Sequence, residues 1–222
     1  APFSTIQMEM YLTTHLFEEA KHTDFFARYF EEVVGTQDTE IDEYEESEYW
    51  QNPELKEFLV DDLEDVGDRM REVARDGDQQ ELRYVLAEGV MHYMGIVEAQ
   101  LAKTGYEIFD NVFTEVSEEA GTEILPGFRA GIKDIRKDEG RHIANGRWMM
   151  KKLAEEDPDV VTEVYEPRLD LYVETRVLGD NVFAENVCEG YDRDTIGKKT
   201  IQHLQDTVDY IGAEKFDRFA DV

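Results

Sequence analysis

The sequence predicts an all-α protein in which long helices pack together as a bundle. Apolar residues recur every three or four positions through most of the 222 residues, which is the period of an amphipathic helix. Only five prolines occur, and no pair of alternating apolar runs is joined by a β-hairpin turn of the Asn-Gly type. Long amphipathic helices bury their apolar faces against one another, so we expect a single domain over residues 1–222.

Glycine and proline residues mark the boundaries of the predicted helices. We expect helices over residues 4–34, 53–77, 79–104, 107–120, 124–155, 159–187 and 194–219. Gly35, Gly77 and Gly105 are predicted to end three of them, because glycine accommodates the left-handed cap. Pro53 suits the first turn of the second helix. Residues 36–52 are acidic and are predicted to form a connection, since they lack the Asp-x-Asp-x-Asp-Gly pattern of a calcium loop.

The net charge is far from zero. Asp and Glu together number 53 and Lys and Arg only 23, which gives a formal charge of -30. Self-repulsion of this size destabilises a compact chain at low ionic strength, whereas salt at about 1 M shortens the Debye length to about 3 Å. Because the acidic residues are spread along the whole chain, we interpret the surface as adapted to a salt-rich cytoplasm, as in halophiles. Nucleic acids and anionic membranes require basic patches and are not expected partners.

Cysteine usage and hydropathy predict a cytoplasmic protein. The single cysteine, Cys188, cannot form a disulfide within the chain, which is typical of a reducing compartment. We interpret it as a buried structural residue, because no Cys or His lies near it in the sequence. No apolar run approaches the roughly 20 residues that span a bilayer, so membrane insertion is not expected.

Five polar residues interrupt the predicted apolar faces of three helices. The face of the first helix consists of Leu12, Leu16, Glu19, His22, Phe26 and Phe30. The face of the helix over 79–104 consists of Tyr84, Ala87, Met91, Met94, Glu98 and Leu101. The face of the helix over 124–155 consists of Ile132, Ile135, Glu139, His142, Ile143, Met149, Met150 and Leu153. Two Glu and His pairs and a lone Glu are therefore predicted to be buried.

These five residues predict a site for two metal ions. A buried carboxylate costs several kcal/mol unless it is paired, and Lys and Arg are scarce on the three faces. Two Glu-x-x-His pairs with further Glu residues make the site of di-iron and di-manganese carboxylate proteins. One such pair arises by chance in so acidic a chain. Two pairs 120 residues apart, both on apolar faces, favour a metal site over ordinary core histidines. Oxygen and nitrogen ligands of this kind suit manganese and iron.

Three segments of the chain resemble the ribonucleotide reductase small-subunit superfamily and, more narrowly, its ligand-binding oxidases. They are Phe-Glu-Glu-Ala-Lys-His-Thr-Asp-Phe-Phe at 17–26, Tyr-Met-Gly-Ile-Val-Glu at 93–98 with Ala-Lys-Thr-Gly-Tyr at 102–106, and Lys-Asp-Glu-Gly-Arg-His-Ile-Ala at 137–144. The similarity extends over about residues 8–153. It implies a ferritin-like helical bundle.

The resemblance also implies a role for each site residue. The metal ligands would be Glu19, His22, Glu98, Glu139 and His142, with Glu98 bridging or capping the metal pair. Asp138 would orient a ligand histidine. Tyr93 matches the tyrosine that forms an ether crosslink to a valine in the oxidases. Residues five apart lie about 140° apart around a regular α-helix, so spacing alone does not place Tyr93 beside Glu98.

The cofactor and partners follow from the same resemblance. It implies a mixed manganese/iron pair, or two iron ions, that activates dioxygen beside a buried long-chain fatty acid. Homodimers are common in this family. An aromatic patch at Phe25, Phe26, Tyr29 and Phe30 has two interpretations: ordinary core packing, or the wall of a tunnel for an apolar ligand.

Two other functions compete with the oxidase. A ribonucleotide reductase small (beta) subunit usually carries a radical tyrosine four residues after the first ligand histidine. That position is Phe26 here, although some manganese/iron reductase subunits also have Phe. Tyr93 favours the oxidase. The third hypothesis is a non-catalytic metal-binding helical bundle.

One departure from the family pattern affects the ligand set. The family supplies a further Glu, together with the crosslinked valine, from a helix about thirty residues before the first metal-binding Glu. The sequence begins eighteen residues before Glu19, so either it is a piece of a longer chain that supplies this Glu, or its site is incomplete at one metal position. Glu9 precedes Glu19 by ten residues and points about 80° away on a regular helix.

The remaining histidines have simpler interpretations. His15 is expected to pack in the core or to form hydrogen bonds. His92 faces away from Glu98 and is given no role. His203 is expected to be exposed.

Overall fold

A computed structural model describes residues 5–35, 57–174 and 193–212. Its α-helices are α1 (Ile6–Tyr29), α2 (Asp62–Asp76), α3 (Gln79–Val90), α4 (Lys103–Ala120), α5 (Pro126–Glu156), α6 (Glu166–Glu174) and α7 (Arg193–Ile211). Four π-helical segments adjoin them, at Phe30–Val34, Glu57–Asp61, Met91–Ala102 and Val161–Tyr165. No strand occurs in these ranges, which confirms the all-α prediction. Cys188, Pro53 and the acidic connection at 36–52 lie outside the described residues.

Local sequence explains most helix ends. The Thr5 side chain accepts a hydrogen bond from the Met8 N–H and caps α1, and Asp78 caps α3 in the same way. Pro126 occupies the first turn of α5, where a missing N–H costs nothing. Gly35 and Gly121 have positive φ angles of 80° and 65° and close their helices in the left-handed conformation.

The predicted break at Gly105 is wrong. Backbone angles stay in the right-handed helical region at Val90, Met91, Ala102 and Lys103, so α3, Met91–Ala102 and α4 form one continuous helix. A glycine ends a helix only where the backbone leaves the helical conformation, and Gly105 lies within α4 without a positive φ. The helix ends at Gly121 instead.

The Met91–Ala102 segment lies at the centre of the bundle and packs against α5, α7 and α6. Its buried residues therefore occur on every side of the helix. The main core combines Met91, Met94 and Ile96 with Met149, Met150, Leu153, Tyr165, Leu169, Tyr172, Leu204 and Val208. This packing fixes the segment that carries Glu98 against the helix that carries Glu139 and His142.

A second, smaller core contains part of the aromatic patch. Phe25, Phe26 and Tyr29 pack against Phe128, whose ring centroid lies 4.1 Å from that of Tyr29. Core packing is therefore confirmed for these three residues, whereas Phe30 is 41% exposed. No helix in the described ranges has the length and apolarity that crossing a bilayer requires.

The predicted apolar face of α1 is only partly buried. Leu12 and Leu16 are 41% and 72% exposed, contrary to the prediction that they face the core. The buried residues of α1 are Met8, His15 and His22, spaced seven apart along a narrow line. Apolar residues cover a wide arc of this helix, and the period alone does not show which part of the arc meets α5.

Gly146 marks the closest approach between α5 and the central helix, because a Cβ added there would overlap the Met94 side chain. We expect Gly146→Ala to lower the free energy of unfolding by about 1–3 kcal/mol through overpacking. Gly140→Ala, on the exposed side of the same helix with open space around it, is the control and should raise stability by about 0.5–1 kcal/mol. Urea unfolding of both variants checks the pair; equal stabilisation by both would contradict this packing.

Candidate metal centre

The five predicted ligands meet at one level of the bundle. Glu19 and His22 come from α1, Glu98 from the Met91–Ala102 segment, and Glu139 and His142 from α5. His22, Glu98, Glu139 and His142 are each at most 6% exposed, and Glu19 is partly exposed. The structure thus brings together residues separated by up to 123 positions.

Distances between their polar atoms are short enough for shared ions. His142 Nδ1 lies 3.1 Å from Glu19 Oε1 and 3.5 Å from both Glu98 Oε1 and Glu139 Oε2. His22 Nδ1 lies 3.7 Å from Glu19 Oε1 and 3.5 Å from Glu139 Oε1. The atoms form two groups, each within 4.8 Å: Glu19 with His22 and Glu139, and Glu19 with His15, Glu98 and His142. Glu19 belongs to both groups, whereas Glu98 belongs to one.

Each predicted ligand leaves one buried polar atom without a hydrogen-bond partner. These atoms are Glu19 Oε1, His22 Nδ1, Glu98 Oε2, Glu139 Oε2 and His142 Nδ1. Buried unpaired polar groups are costly and rare in native proteins, and an ion is one of the few things that explains a cluster of them. The donor set of carboxylate oxygen and imidazole nitrogen fits manganese and iron.

The two ligand histidines are held by carboxylates from the opposite helix. His22 Nε2 lies 3.3 Å from Asp138 Oδ2, and His142 Nε2 lies 2.9 Å from Glu18 Oε2. Each carboxylate immediately precedes the Glu of a Glu-x-x-His pair, so α1 and α5 orient each other's ligand histidine. Such partners fix the ring orientation of a metal ligand.

Sequence reasoning missed Glu18, although the matching place of Asp138 could have identified it. Arg141 joins the two carboxylates, with Nη2 2.6 Å from Glu18 Oε1 and 2.5 Å from Asp138 Oδ1. Burial opposes ionisation of Glu18, but hydrogen bonds from His142 and Arg141 lower its pKa overall. Glu18 is therefore ionised and is a strong acceptor for His142.

Electrostatics of the metal-free cluster favour protonated histidines. Burial by itself lowers the pKa of His142, but the nearby carboxylates of Glu139, Glu19 and Glu98 raise it to about 12. Burial also lowers the pKa of His15, and the carboxylates of Glu19 and Glu98 raise it to about 9. The positive charge of the imidazolium rings thus offsets the negative charge of the carboxylates. A metal ion requires neutral imidazole, so binding releases protons.

Tyr93 lies on the same side of its helix as Glu98 because the segment is π-helical. In a π-helix the hydrogen bond runs from residue i to i+5, so residues five apart lie nearly above one another. Burial and the negative charges of Glu19 and Glu98 raise the pKa of the Tyr93 phenol. The phenol therefore stays protonated beside the cluster. A regular α-helix, assumed in the sequence analysis, places the two residues on different sides.

A second tyrosine contacts the cluster and was not singled out as a site residue. The Tyr106 hydroxyl donates a hydrogen bond of 3.4 Å to Glu139 Oε1. The continuous helix beyond Gly105 is what carries this phenol to the site. Because a helix end was predicted at Gly105, the proximity of Tyr106 to Glu139 was not predicted.

The other histidines differ in their environments. His15 is buried and forms a 3.1 Å hydrogen bond to Glu98 Oε1, as expected, but it also lies inside the ligand cluster. His92 is fully buried against Phe58 and away from the cluster, and burial lowers its pKa to about 4. The prediction that His203 is exposed is wrong: it is 8% exposed, because the inner face of α7 packs on the central helix.

Comparison with solved structures finds a similar arrangement of helices in three structures, all of R2-like ligand-binding oxidases. An R2-like ligand-binding oxidase from Sulfolobus acidocaldarius has a TM-score of 0.62 at 23% identity, over 89% of this chain and 64% of that one. The other two structures are variants of an R2-like ligand-binding oxidase with aerobically reconstituted Mn/Fe cofactor. The valine-to-isoleucine variant has a TM-score of 0.65, and the tyrosine-to-phenylalanine variant has a TM-score of 0.59. Their identities are 23% and 22%, and both alignments cover 90% of this chain and 66% of the other.

The chain has the fold of the R2-like ligand-binding oxidases. It is an all-α, ferritin-like helical bundle, as the sequence predicts. The chain spans about two thirds of the length of these oxidases. No family model matches the sequence.

The carboxylate that holds His142 provides a test of this geometry. We expect Glu18→Gln to weaken manganese and iron binding about 10- to 100-fold, because an amide holds the imidazole less firmly than a carboxylate. Glu9→Gln, an exposed change on the same helix, is the matched control. Competition with a metal chelator measures both affinities. An unchanged affinity in Glu18→Gln would show that this contact does not support a metal ligand.

Proposed function

We propose that this chain is a dioxygen-activating oxidoreductase with a two-metal carboxylate centre. The observation that carries the proposal is the convergence of five residues from three helices, each with one buried polar atom that lacks a hydrogen-bond partner. The likeness of the fold to oxidases reconstituted with Mn/Fe supports a manganese/iron pair, with two iron ions as the variant.

Each residue has a proposed role in holding the pair. Glu19, His22 and Glu139 bind one ion, and Glu98 and His142 bind the other together with the shared Glu19. When bound, the metal pair would act as a Lewis acid and would supply electrons that reduce dioxygen. The activated dioxygen would then serve as the oxidant in a two-electron oxidation. Asp138 and Glu18 hold the imidazole rings, which keeps the ligand nitrogens aimed into the cluster.

Tyr93 is the proposed catalytic residue of the chain itself. Its ring centroid lies 6.1 Å from that of His15, and its phenol interacts with Glu19. Because its pKa is raised, the phenol keeps its proton and can donate a hydrogen bond beside the metal ligands. The crosslink that the resemblance implies would require oxidation of this tyrosine.

An apolar, fatty-acid-like molecule is the proposed ligand. An open groove of about 520 Å³ is lined by Arg28, Glu32 and several apolar side chains, namely Phe25, Tyr29, Val33, Leu125 and Phe128. It begins one helical turn beyond His22 on α1. Aromatic and aliphatic walls of this kind accept a hydrocarbon chain.

A homodimer is also proposed. Large apolar side chains on α1, namely Ile6, Met10, Leu12, Leu16 and Phe17, are 41–72% exposed. Exposed apolar surface of this extent is typical of an interface with another protein. The reductase small subunit has less support, because the similar solved structures are oxidases.

Metal content and dioxygen uptake test this function together. The chain purified in high salt and supplied with Mn(II) and Fe(II) should hold about two ions, and dioxygen consumption should follow metal loading. Glu98→Gln should retain about one ion, and Glu19→Gln should lose affinity for both because Glu19 is shared. Glu81→Gln, an exposed change on α3, is the control.

Elemental analysis and an oxygen electrode supply the two readouts. Two bound ions without dioxygen consumption would contradict the oxidase and favour a non-catalytic metal-binding bundle. Copurification with a large catalytic subunit would favour the reductase.

A further inference from the structure

His15 lies among the predicted ligands although it belongs to neither Glu-x-x-His pair. It precedes Glu19 by one helical turn on α1 and is 6% exposed. Its Nε2 atom lies 3.1 Å from Glu98 Oε1 and 3.5 Å from Glu19 Oε1. Both carboxylates already face His142, so the two imidazoles share the same acidic partners.

Four atoms form a closed ring in which nitrogen and oxygen alternate. Its sides are 3.1 Å from His15 to Glu98, 3.5 Å from Glu98 to His142, 3.1 Å from His142 to Glu19, and 3.5 Å from Glu19 to His15. Atoms that bind one ion at about 2.0–2.2 Å lie about 3.0–3.5 Å apart at the usual ligand angles. All four sides have the lengths expected of ligands around one ion.

The surrounding contacts hold the two rings on the same ion position. The ring of His15 stacks on that of His142, with centroids 3.7 Å apart and planes inclined by 26°. Two of the four ring atoms, Glu19 Oε1 and His142 Nδ1, are buried without hydrogen-bond partners. An ion at this position would satisfy the two orphaned atoms, which a hydrogen bond from His15 to Glu98 does not.

We propose that His15 is a third histidine ligand, bound to the ion held by Glu98 and His142. This inference rests on the proposed two-metal site. It gives that position two imidazole nitrogens and two carboxylate oxygens. The other position, with His22, Glu19 and Glu139, has one nitrogen. The two positions therefore differ in chemistry, and the nitrogen-richer one should prefer cobalt, nickel or zinc over manganese more strongly than the other.

The alternative is that His15 only positions Glu98 by donating a hydrogen bond. A glutamine at position 15 separates these roles, because its amide can donate to Glu98 but replaces the imidazole nitrogen poorly as a ligand. His203→Gln is the matched control, since His203 is a similarly buried histidine that faces Glu107 on other helices.

Cobalt(II) is the probe, added to the full chain in high salt after metal removal. Each cobalt-bound imidazole gives one strongly shifted ring N–H signal in proton NMR. We expect three such signals in the unaltered chain, from His15, His22 and His142. The His15→Gln variant should show two signals and bind one of its two ions more than about 100-fold more weakly, a loss larger than an outer partner causes. His203→Gln should match the unaltered chain.

Each outcome has a distinct meaning. Two signals in the unaltered chain, or His15→Gln with unchanged cobalt affinity, would overturn the proposal and leave the two-metal site intact. The signal count in the unaltered chain decides the question even if the variant does not fold, which circular dichroism reports. No cobalt binding in the unaltered chain would overturn the site itself. Cobalt binding with three signals but no dioxygen consumption by the manganese/iron form would reject only the oxidase.

Discussion

The convergence of three carboxylates at one level of the bundle, two of them buried and one partly exposed, is the constraint on which the site depends. Glu19, Glu98 and Glu139 come from three helices and converge where water is largely excluded. Like charges this close repel strongly in a medium of low dielectric constant. Protonated histidines offset the repulsion in the metal-free chain, as the raised pKa of His142 shows. A pair of divalent ions would neutralise the same charges and also fill the unpaired positions of the ligand atoms.

The cluster also holds α1 in place. Much of the apolar surface of this helix faces solvent, so apolar burial contributes less to its attachment than for the central helix. Polar contacts to α5 compensate: Arg141 binds Glu18, Tyr11 donates to the Arg141 carbonyl, and His142 faces Glu19. Attachment of α1 and completion of the metal site are therefore coupled, and metal binding should favour the docked helix.

Helical periodicity predicted the convergence, because polar residues on an apolar face must meet a partner in the core. It placed Glu19, His22, Glu98, Glu139 and His142 correctly on inward-facing positions without knowledge of how the helices pack. The metal-ligand roles of these residues, and the catalytic role of Tyr93, stay predictions. The all-α bundle followed from the same pattern, whereas the ferritin-like fold that the solved oxidases share was implied by the family resemblance.

What the sequence did not reveal depends on departures from regular geometry and on tertiary contacts. The π-helical segment brings Tyr93 to the same side of the helix as Glu98, and no residue between them predicts a π-helix rather than an α-helix. Gly105 resembles a helix end but lies within a continuous helix, which hid Tyr106. The contact between Glu18 and His142 joins two helices, so the only sequence signal for it was that Glu18 precedes Glu19 as Asp138 precedes Glu139. Leu16 was predicted to be buried because it lies on an apolar face, but it is exposed because no neighbouring element covers it.

Anomalous X-ray scattering from crystals of the chain loaded with Mn(II) and Fe(II) tests the central claim most directly. Data collected at the manganese and iron absorption edges locate each ion and the atoms that bind it. The account predicts two peaks inside the cluster, both within about 2.0–2.3 Å of Glu19 and each beside one of the two histidine-containing groups. Peaks elsewhere on the acidic surface, with the five buried atoms still unpaired, would contradict it.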